Sequence, residues 1–162
     1  VIAVKTTTGG VLNVQSHGHI ISTGVDVTAN DTVTIGPAAS EKVYTFVATP
    51  TLEGDVDIGG TAAITLANLK LAINRTDPTT NDGVKYKIAA ANPAVTAGAI
   101  TDTDLTITAI VAGVTGDLIH LEESALTLSV SAATLAGGVT AVPLQAGTIR
   151  GILTYRAEEY GA

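Results

Sequence analysis

Residues 61–74 read TAAITLANLKLAIN and carry the clearest helical pattern in the chain. Apolar residues recur there every three or four positions, which places them on one face of a helix. These positions are Ala62, Leu66, Leu69 and Ile73. Thr61 has the side chain of an N-cap, and Asp77-Pro78 ends the helix soon after Arg75. The pattern predicts one helix at about residues 61–75, with its apolar face laid on a sheet.

Strand patterns fill most of the remaining sequence. Residues 31–48 predict a β-hairpin, and Val33 and Ile35 alternate with threonines in its first strand. In the second strand, Tyr44 and Phe46 share one face. Further strands are predicted at residues 84–88, 95–99, 104–111, 118–121 and 126–130. The predicted fold class is therefore mainly β (α+β), a small antiparallel β-sandwich or sheet packed by the single helix.

The two ends of the chain read as extended arms on either side of a compact body. Gly9-Gly10 and Gly18 divide the N-terminal region into pieces too short for a stable hairpin. Gly137-Gly138 ends the body, and residues 148–155 alternate as a strand that needs a partner. Three parts are predicted: an N-terminal arm at residues 1–26, a β-rich body with one helix at residues 27–138, and a C-terminal arm at residues 139–162.

Composition argues against several classes of protein. Cysteine is absent, so disulfides and thiolate chemistry are excluded. A net charge of −7 disfavours non-specific nucleic-acid binding. No stretch approaches the roughly 20 apolar residues of a membrane helix, and the N-terminus lacks the charged and apolar regions of a signal peptide. We therefore expect no nucleic-acid partner and no membrane partner.

Several side chains belong to types that bind metals or act in catalysis. His17 and His19 would share a strand face, but no third ligand is near them, and catalytic zinc usually has three protein ligands. Two acidic clusters lack the spacing of an EF-hand loop. They are Glu53, Asp55 and Asp57, and Asp102 with Asp104. GxSxG and HExxH motifs are also absent. The sequence predicts a protein that is not an enzyme and uses no metal or cofactor.

Residues 27–138 contain a series of short motifs in a recurrent order. The series begins with DTVTIG at 31–36, VYTFV at 43–47, Ile58-Gly59 and TLANLKLAIN at 65–74. It continues with a threonine-rich strand at 103–108, AGVTGDLI at 112–119 and ATLAGG at 133–138. This series resembles a small β-rich module that recurs in tailed-phage structural proteins, including head decoration (cement), tail sheath and tail fibre components. The helix and the AGVTGDLI turn are its most specific parts.

The resemblance implies a structural virion protein. A sheath subunit is usually much longer, and a fibre usually has repeats or trimerising segments. A chain of 162 residues with two arms fits best a decoration protein on the capsid surface. Such proteins commonly form trimers at three-fold and quasi-three-fold positions, which implies the major capsid protein and further copies of this chain as partners. The alternative is a tail or fibre component that binds a receptor or glycan, although an aromatic share of 3% disfavours stacking on sugars.

On this interpretation the arms supply the contacts between subunits, by strand pairing with a neighbour. The predicted apolar anchors are Val11, Leu12, Ile20, Ile149, Leu153 and Tyr155, with Arg150 and Arg156 as polar partners. The hypothesis also predicts that deleting residues 1–20 leaves a folded body that no longer decorates heads.

Overall fold

A computed structural model describes residues 12–141 of the chain. The strands are β1 (Gln15–Ser22), β2 (Thr32–Pro37), β3 (Lys42–Val47), β4 (Asp55–Asp57), β5 (Tyr86–Lys87), β6 (Val95–Thr101), β7 (Asp104–Ala112), β8 (Ile119–Glu123) and β9 (Leu128–Val130). The helices are α1 (Ala62–Asn74) and the single turn α2 (Pro78–Asn81), and a 3₁₀ helix (Val114–Leu118) precedes β8.

The strands form two sheets, in the orders β6-β7-β1-β9 and β5-β4-β3-β2-β8. With one main helix, this confirms the predicted mainly β, sandwich-like fold. The predicted hairpin is β2–β3, in which Val33 lies opposite Tyr44. One pair departs from the antiparallel prediction, because β4 runs parallel to β3. The loop at residues 48–54 carries the chain back to the start of β3, and the Asp55 carboxylate accepts two backbone N–H bonds from that loop.

The core lies between the two sheets and under α1. All four residues of the predicted helical stripe are buried, as are Tyr44 and Phe46 from β3. The predicted inner face of β7 is also fully buried, and consists of Leu105, Ile107 and Ala109. Burying one large apolar side chain stabilises a fold by about 1.5–3 kcal/mol. Because these side chains come from both sheets and the helix, one apolar cluster holds the whole body together.

Both ends of α1 are capped, and the N-cap is the predicted Thr61. The Ile64 N–H donates to Thr61 Oγ1 at 3.4 Å, which satisfies one free donor of the first turn. Arg75 adopts the left-handed conformation (φ 48°), and its N–H reaches back to the Ala72 carbonyl. This closure at the C-terminus is a common way for a helix to end.

The position of strand β1 changes the boundary of the predicted N-terminal arm, residues 1–26. It lies between β7 and β9 as an inner strand, so residues 15–22 belong to the body. Gly18, interpreted from the sequence as a break, lies inside this strand. A Cβ there would lie 2.7 Å from Leu135 Cδ2, so the glycine makes room for a core side chain.

The segment after β9 joins the two sheets along one side. The Leu121 N–H donates to the Ala133 carbonyl, and the Leu135 N–H donates to the Ile119 carbonyl. These two hydrogen bonds cover the outer edge of β8. Further along, Ala136 exchanges two backbone hydrogen bonds with His17 of β1, at 2.9 and 3.0 Å. One short segment therefore pairs with a strand of each sheet.

Candidate interface where the chain ends leave the body

The two described ends of the chain leave the body side by side. Val14 and Val139 exchange backbone hydrogen bonds of 2.9 and 3.1 Å. The Ala141 N–H donates to Asn13 Oδ1 at 2.6 Å. The first and the last described residues, to which residues 1–11 and 142–162 are connected, therefore lie next to each other.

A cluster of small residues packs this exit point tightly. Ser16 Oγ is completely buried, and a Cβ added to Gly116 or to Gly138 would lie 2.4 Å from it. A Cβ on Gly138 would also clash with the Gly113 carbonyl oxygen, at 2.4 Å. We call Ser16, Gly113, Gly116, Asp117 and Gly138 the Ser16 cluster. Since any larger side chain would force these segments apart, the glycines permit their close approach.

Asp117 supplies the charge of the Ser16 cluster. Its Oδ1 accepts the Gly138 N–H at 3.0 Å. Among the described residues, Ser16 Oγ makes no well-formed hydrogen bond. The Asp117 carboxylate is the acceptor that lies beside its hydroxyl. The Ser16 hydroxyl, and then the Gly138 N–H, hold the pKa of Asp117 below its ordinary value. The ionised carboxylate thereby ties the 3₁₀ helix to the segment that leads to the C-terminus.

Exposed apolar side chains lie close in sequence to the residues that form the exit point. Leu12 is 80% exposed, Val111 64%, Val114 55% and Leu118 68%. Val14, half-exposed, bonds through its carbonyl to the Gly113 N–H, one residue before Val114. We call Leu12, Val14, Val111, Val114 and Leu118 the exit surface. Apolar residues grouped at one place on a surface are typical of a contact site for another chain or segment.

The predicted interface residues fall into three groups: exposed at the exit surface, buried in the core, or outside the described part of the chain. Leu12 is exposed at the exit surface. Ile20 is wrong as an anchor, because it points into the core with 0% exposure and has no surface to offer a partner. The other predicted residues lie outside the described part of the chain. They are Val11, Ile149, Arg150, Leu153, Tyr155 and Arg156.

The predicted interface residues do not include Val111, Val114 or Leu118. Val111 continues an apolar strand pattern, Val114 lies between the two glycines of the AGVTGDLI turn, and Leu118 follows them. Their exposure depends on how the 3₁₀ helix turns between β7 and β8, which periodicity does not report. The signal in the sequence was the two glycines of this turn, which indicated an unusual backbone conformation. Gly113 does adopt a positive φ, of 105°.

Two of the three histidines pair with acidic residues, His19 with Asp104 and His120 with Glu41. The His17 and His19 rings lie on one strand face with centroids 6.2 Å apart. His19 Nδ1 lies 2.8 Å from Asp104 Oδ1, which links β1 to β7. This pair orients an imidazole, but no serine or threonine hydroxyl among residues 12–141 is hydrogen-bonded to that ring. The same range holds no group of three or more histidine or acidic residues arranged to bind a metal ion.

The acidic residues at the start of β4 have structural partners. Asp57 accepts from the Asn68 amide at 3.1 Å and lies 3.3 Å from Lys85 Nζ. Glu53 accepts the backbone N–H of Ala89 at 2.9 Å. With Asp55 holding its own loop, these carboxylates brace β4 against the helix and β5. These carboxylates therefore stabilise the local structure. The exit surface remains the strongest candidate for a functional site.

Searches for similarity to protein-family models, to curated proteins and to solved structures found no match for this chain. Among residues 12–141, no helix has the length and apolar character needed to cross a membrane.

Proposed function

We propose that this chain is a structural virion protein that decorates a tailed-phage capsid and stabilises it by bridging capsomers. The carrying observation is that the attachment points of the two terminal segments, near Asn13 and Ala141, are hydrogen-bonded to each other beside the exit surface. A compact body with two terminal segments at one point suits a protein that contacts several neighbours at a shared junction. The resemblance of residues 27–138 to a phage structural module supports the same role.

The mechanism is additional contact between subunits of an assembled shell. A protein that binds only the assembled shell shifts the equilibrium towards the intact particle by mass action. The two sheets and α1 share one apolar core, so the body acts as a rigid spacer. The apolar residues of the exit surface provide area to bury, at roughly 25 cal/mol per Å² of apolar surface removed from water.

The described aromatic residues disfavour the alternative of glycan binding. Tyr44, Phe46 and Tyr86 are all fully buried, so none of them offers a ring face to a sugar. Within residues 12–141, recognition of a partner therefore depends on aliphatic and polar groups.

The test is binding of the full-length protein to undecorated heads and to tails of the phage that encodes it. We expect cryo-electron microscopy to place the chain on the head at three-fold or quasi-three-fold positions, and we expect the decorated heads to resist heating better. Location along the tail or at its tip would contradict the capsid role and support the alternative. Failure to bind either part would contradict both.

A matched pair of variants tests the exit surface in the same assay. Val114→Asp adds a charge to the exit surface, whereas Val84→Asp adds the same charge before β5, at a similar exposure of 58%. Neither valine is in the core, so both variants should fold. We expect Val114→Asp to lower occupancy on heads at least about tenfold, corresponding to about 1.4 kcal/mol, and Val84→Asp to leave it unchanged. Equal occupancy would contradict a role for this surface.

A further inference from the structure

An open apolar groove of about 300 Å³ lies next to the exit point. Its walls come from three regions that are distant in sequence: the end of β2, the turn before β6, and the segment from β7 to β8. The lining includes Pro37, Pro93, Ala94, Val111, Thr115 and Ile119. The groove has apolar walls with few polar groups and is open to solvent at the surface, which suits an apolar side chain from a polypeptide segment.

The chain leaves the body at the rim of this groove. The Val114 N–H donates to Thr140 Oγ1 at 3.2 Å, and the next residue, Thr115, lines the groove. Val111 belongs both to the groove and to the exit surface. The described chain ends at Ala141, one residue after Thr140. The segment that follows Ala141 therefore starts beside this apolar groove.

The C-terminal segment has the composition and the length to fill it. Residues 149–155 read IRGILTY, in which Ile149, Leu153 and Tyr155 fall on one side of an extended chain. The segment at 142–148 that connects them to Ala141 spans at most about 3.3 Å per residue. That reach is on the order of 20 Å, which is ample because Thr140 is hydrogen-bonded to Val114, the neighbour of the lining residue Thr115.

We propose that residues 149–155 dock into the groove of their own chain, with Leu153 against Val111. Docking would bury the apolar side of this alternating segment, whose apolar side chains could otherwise contact other chains. An intramolecular partner is favoured because a short connection holds the segment at a high effective concentration beside the groove. This inference concerns the free protein and does not depend on the virion role.

Disulfide trapping in the full-length chain tests the docking. The chain has no cysteine, so an engineered pair is the only source of a disulfide. We expect Val111→Cys with Leu153→Cys to form an intramolecular disulfide under mild oxidation at least about tenfold faster than a control pair. The control is Val84→Cys with Leu153→Cys, whose first site is similarly exposed but lies before β5. Non-reducing electrophoresis and mass spectrometry measure the products.

Three outcomes would overturn the proposal. Equal rates for the two pairs would mean that residues 149–155 do not rest on the groove. A predominantly intermolecular disulfide would mean that the segment docks on another copy instead.

A groove-filling change, Ala94→Arg, in the Val111→Cys and Leu153→Cys background should lower the rate of disulfide formation to that of the control pair. An unchanged rate would mean that the groove is not the docking site, and circular dichroism of the reduced variants checks that each is folded.

Discussion

Gly116 lies where the 3₁₀ helix, β1 and β7 come closest together. A Cβ at this position would be 2.4 Å from Ser16 Oγ and 2.9 Å from the Ala109 Cβ. Both neighbours belong to inner strands of one sheet, so neither can move without disturbing that sheet. The need for glycine here is therefore steric and arises from packing between residues about one hundred positions apart.

Gly116→Ala should lower the free energy of unfolding by about 1–3 kcal/mol, because adding a methyl group to a filled site forces its neighbours apart. Urea denaturation followed by circular dichroism measures this change. Gly98→Ala is the matched control. The nearest atoms to its Cβ lie 3.7 Å away, which is ordinary contact. We expect the control to be as stable as the wild type or slightly more stable, and equal losses for the two variants would contradict the steric argument.

Asp117 should make stability depend on pH at the acidic end of the range. The Ser16 hydroxyl and the Gly138 N–H lower its pKa in the folded protein. Its contribution is therefore fully present above the unfolded-state pKa and is lost as the pH falls through the lower folded-state value. Asp117→Asn removes this titration. We expect the stability difference between wild type and Asp117→Asn to be larger at about pH 7 than at about pH 2.5.

Urea denaturation at the two pH values measures that difference. Asp82, whose pKa is also lowered, chiefly by its hydrogen bond to Lys87, titrates in both proteins and cancels in the comparison. Ser16→Ala provides a second control, because removing the hydroxyl should weaken the pH dependence that Asp117 confers. A difference that stays constant between the two pH values would show that Asp117 is not held in its ionised form by the fold.

At the scale of elements, α1 covers an edge of the four-stranded sheet. The Asn74 side chain donates through Nδ2 to the Ala97 carbonyl at 2.8 Å and accepts the Ala97 N–H at 2.9 Å. The amide of the last helical residue thus pairs with β6 as another strand would. An edge strand with free backbone groups invites pairing with other chains, and this contact removes one such site.

Asn74→Ala should therefore cost about 1–3 kcal/mol, because it leaves a buried N–H and a buried carbonyl of Ala97 without partners. The control is Asn81→Ala, which loses one exposed hydrogen bond to the Thr76 carbonyl. That loss should cost about 0.5 kcal/mol or less. Thermal and urea unfolding measure both variants. Hydrogen exchange at Ala97 should also become faster in Asn74→Ala, and unchanged protection there would contradict the pairing.

At the scale of the whole molecule, β1 decides where the chain can be shortened. Residues 15–22 form an inner strand of the sheet, and Ile20 and Ser16 are completely buried. The deletion of residues 1–20 suggested by the sequence would remove most of β1 and leave β7 and β9 without their common neighbour. The test of the N-terminal segment must therefore stop before Leu12.

Deletion of residues 1–11 should leave the free energy of unfolding within about 0.5 kcal/mol of the full chain. Deletion of residues 1–20 should prevent cooperative folding, since it opens the core along an entire strand. Circular dichroism and a urea titration of each protein measure the two effects. A cooperative transition after the longer deletion would mean that the body folds without β1, as the predicted arm at residues 1–26 implies.

The sequence by itself determined α1, its N-cap, the β2–β3 hairpin and the buried faces of β3 and β7. These features depend on residues close together in the chain, through helical period, strand alternation and capping. Only the tertiary structure decided that residues 15–22 are an inner strand and that β4 runs parallel to β3. It also decided that the first and the last described residues lie together near an apolar groove. Those features depend on contacts such as Val14 with Val139, between residues whose separation leaves no periodic trace in the sequence.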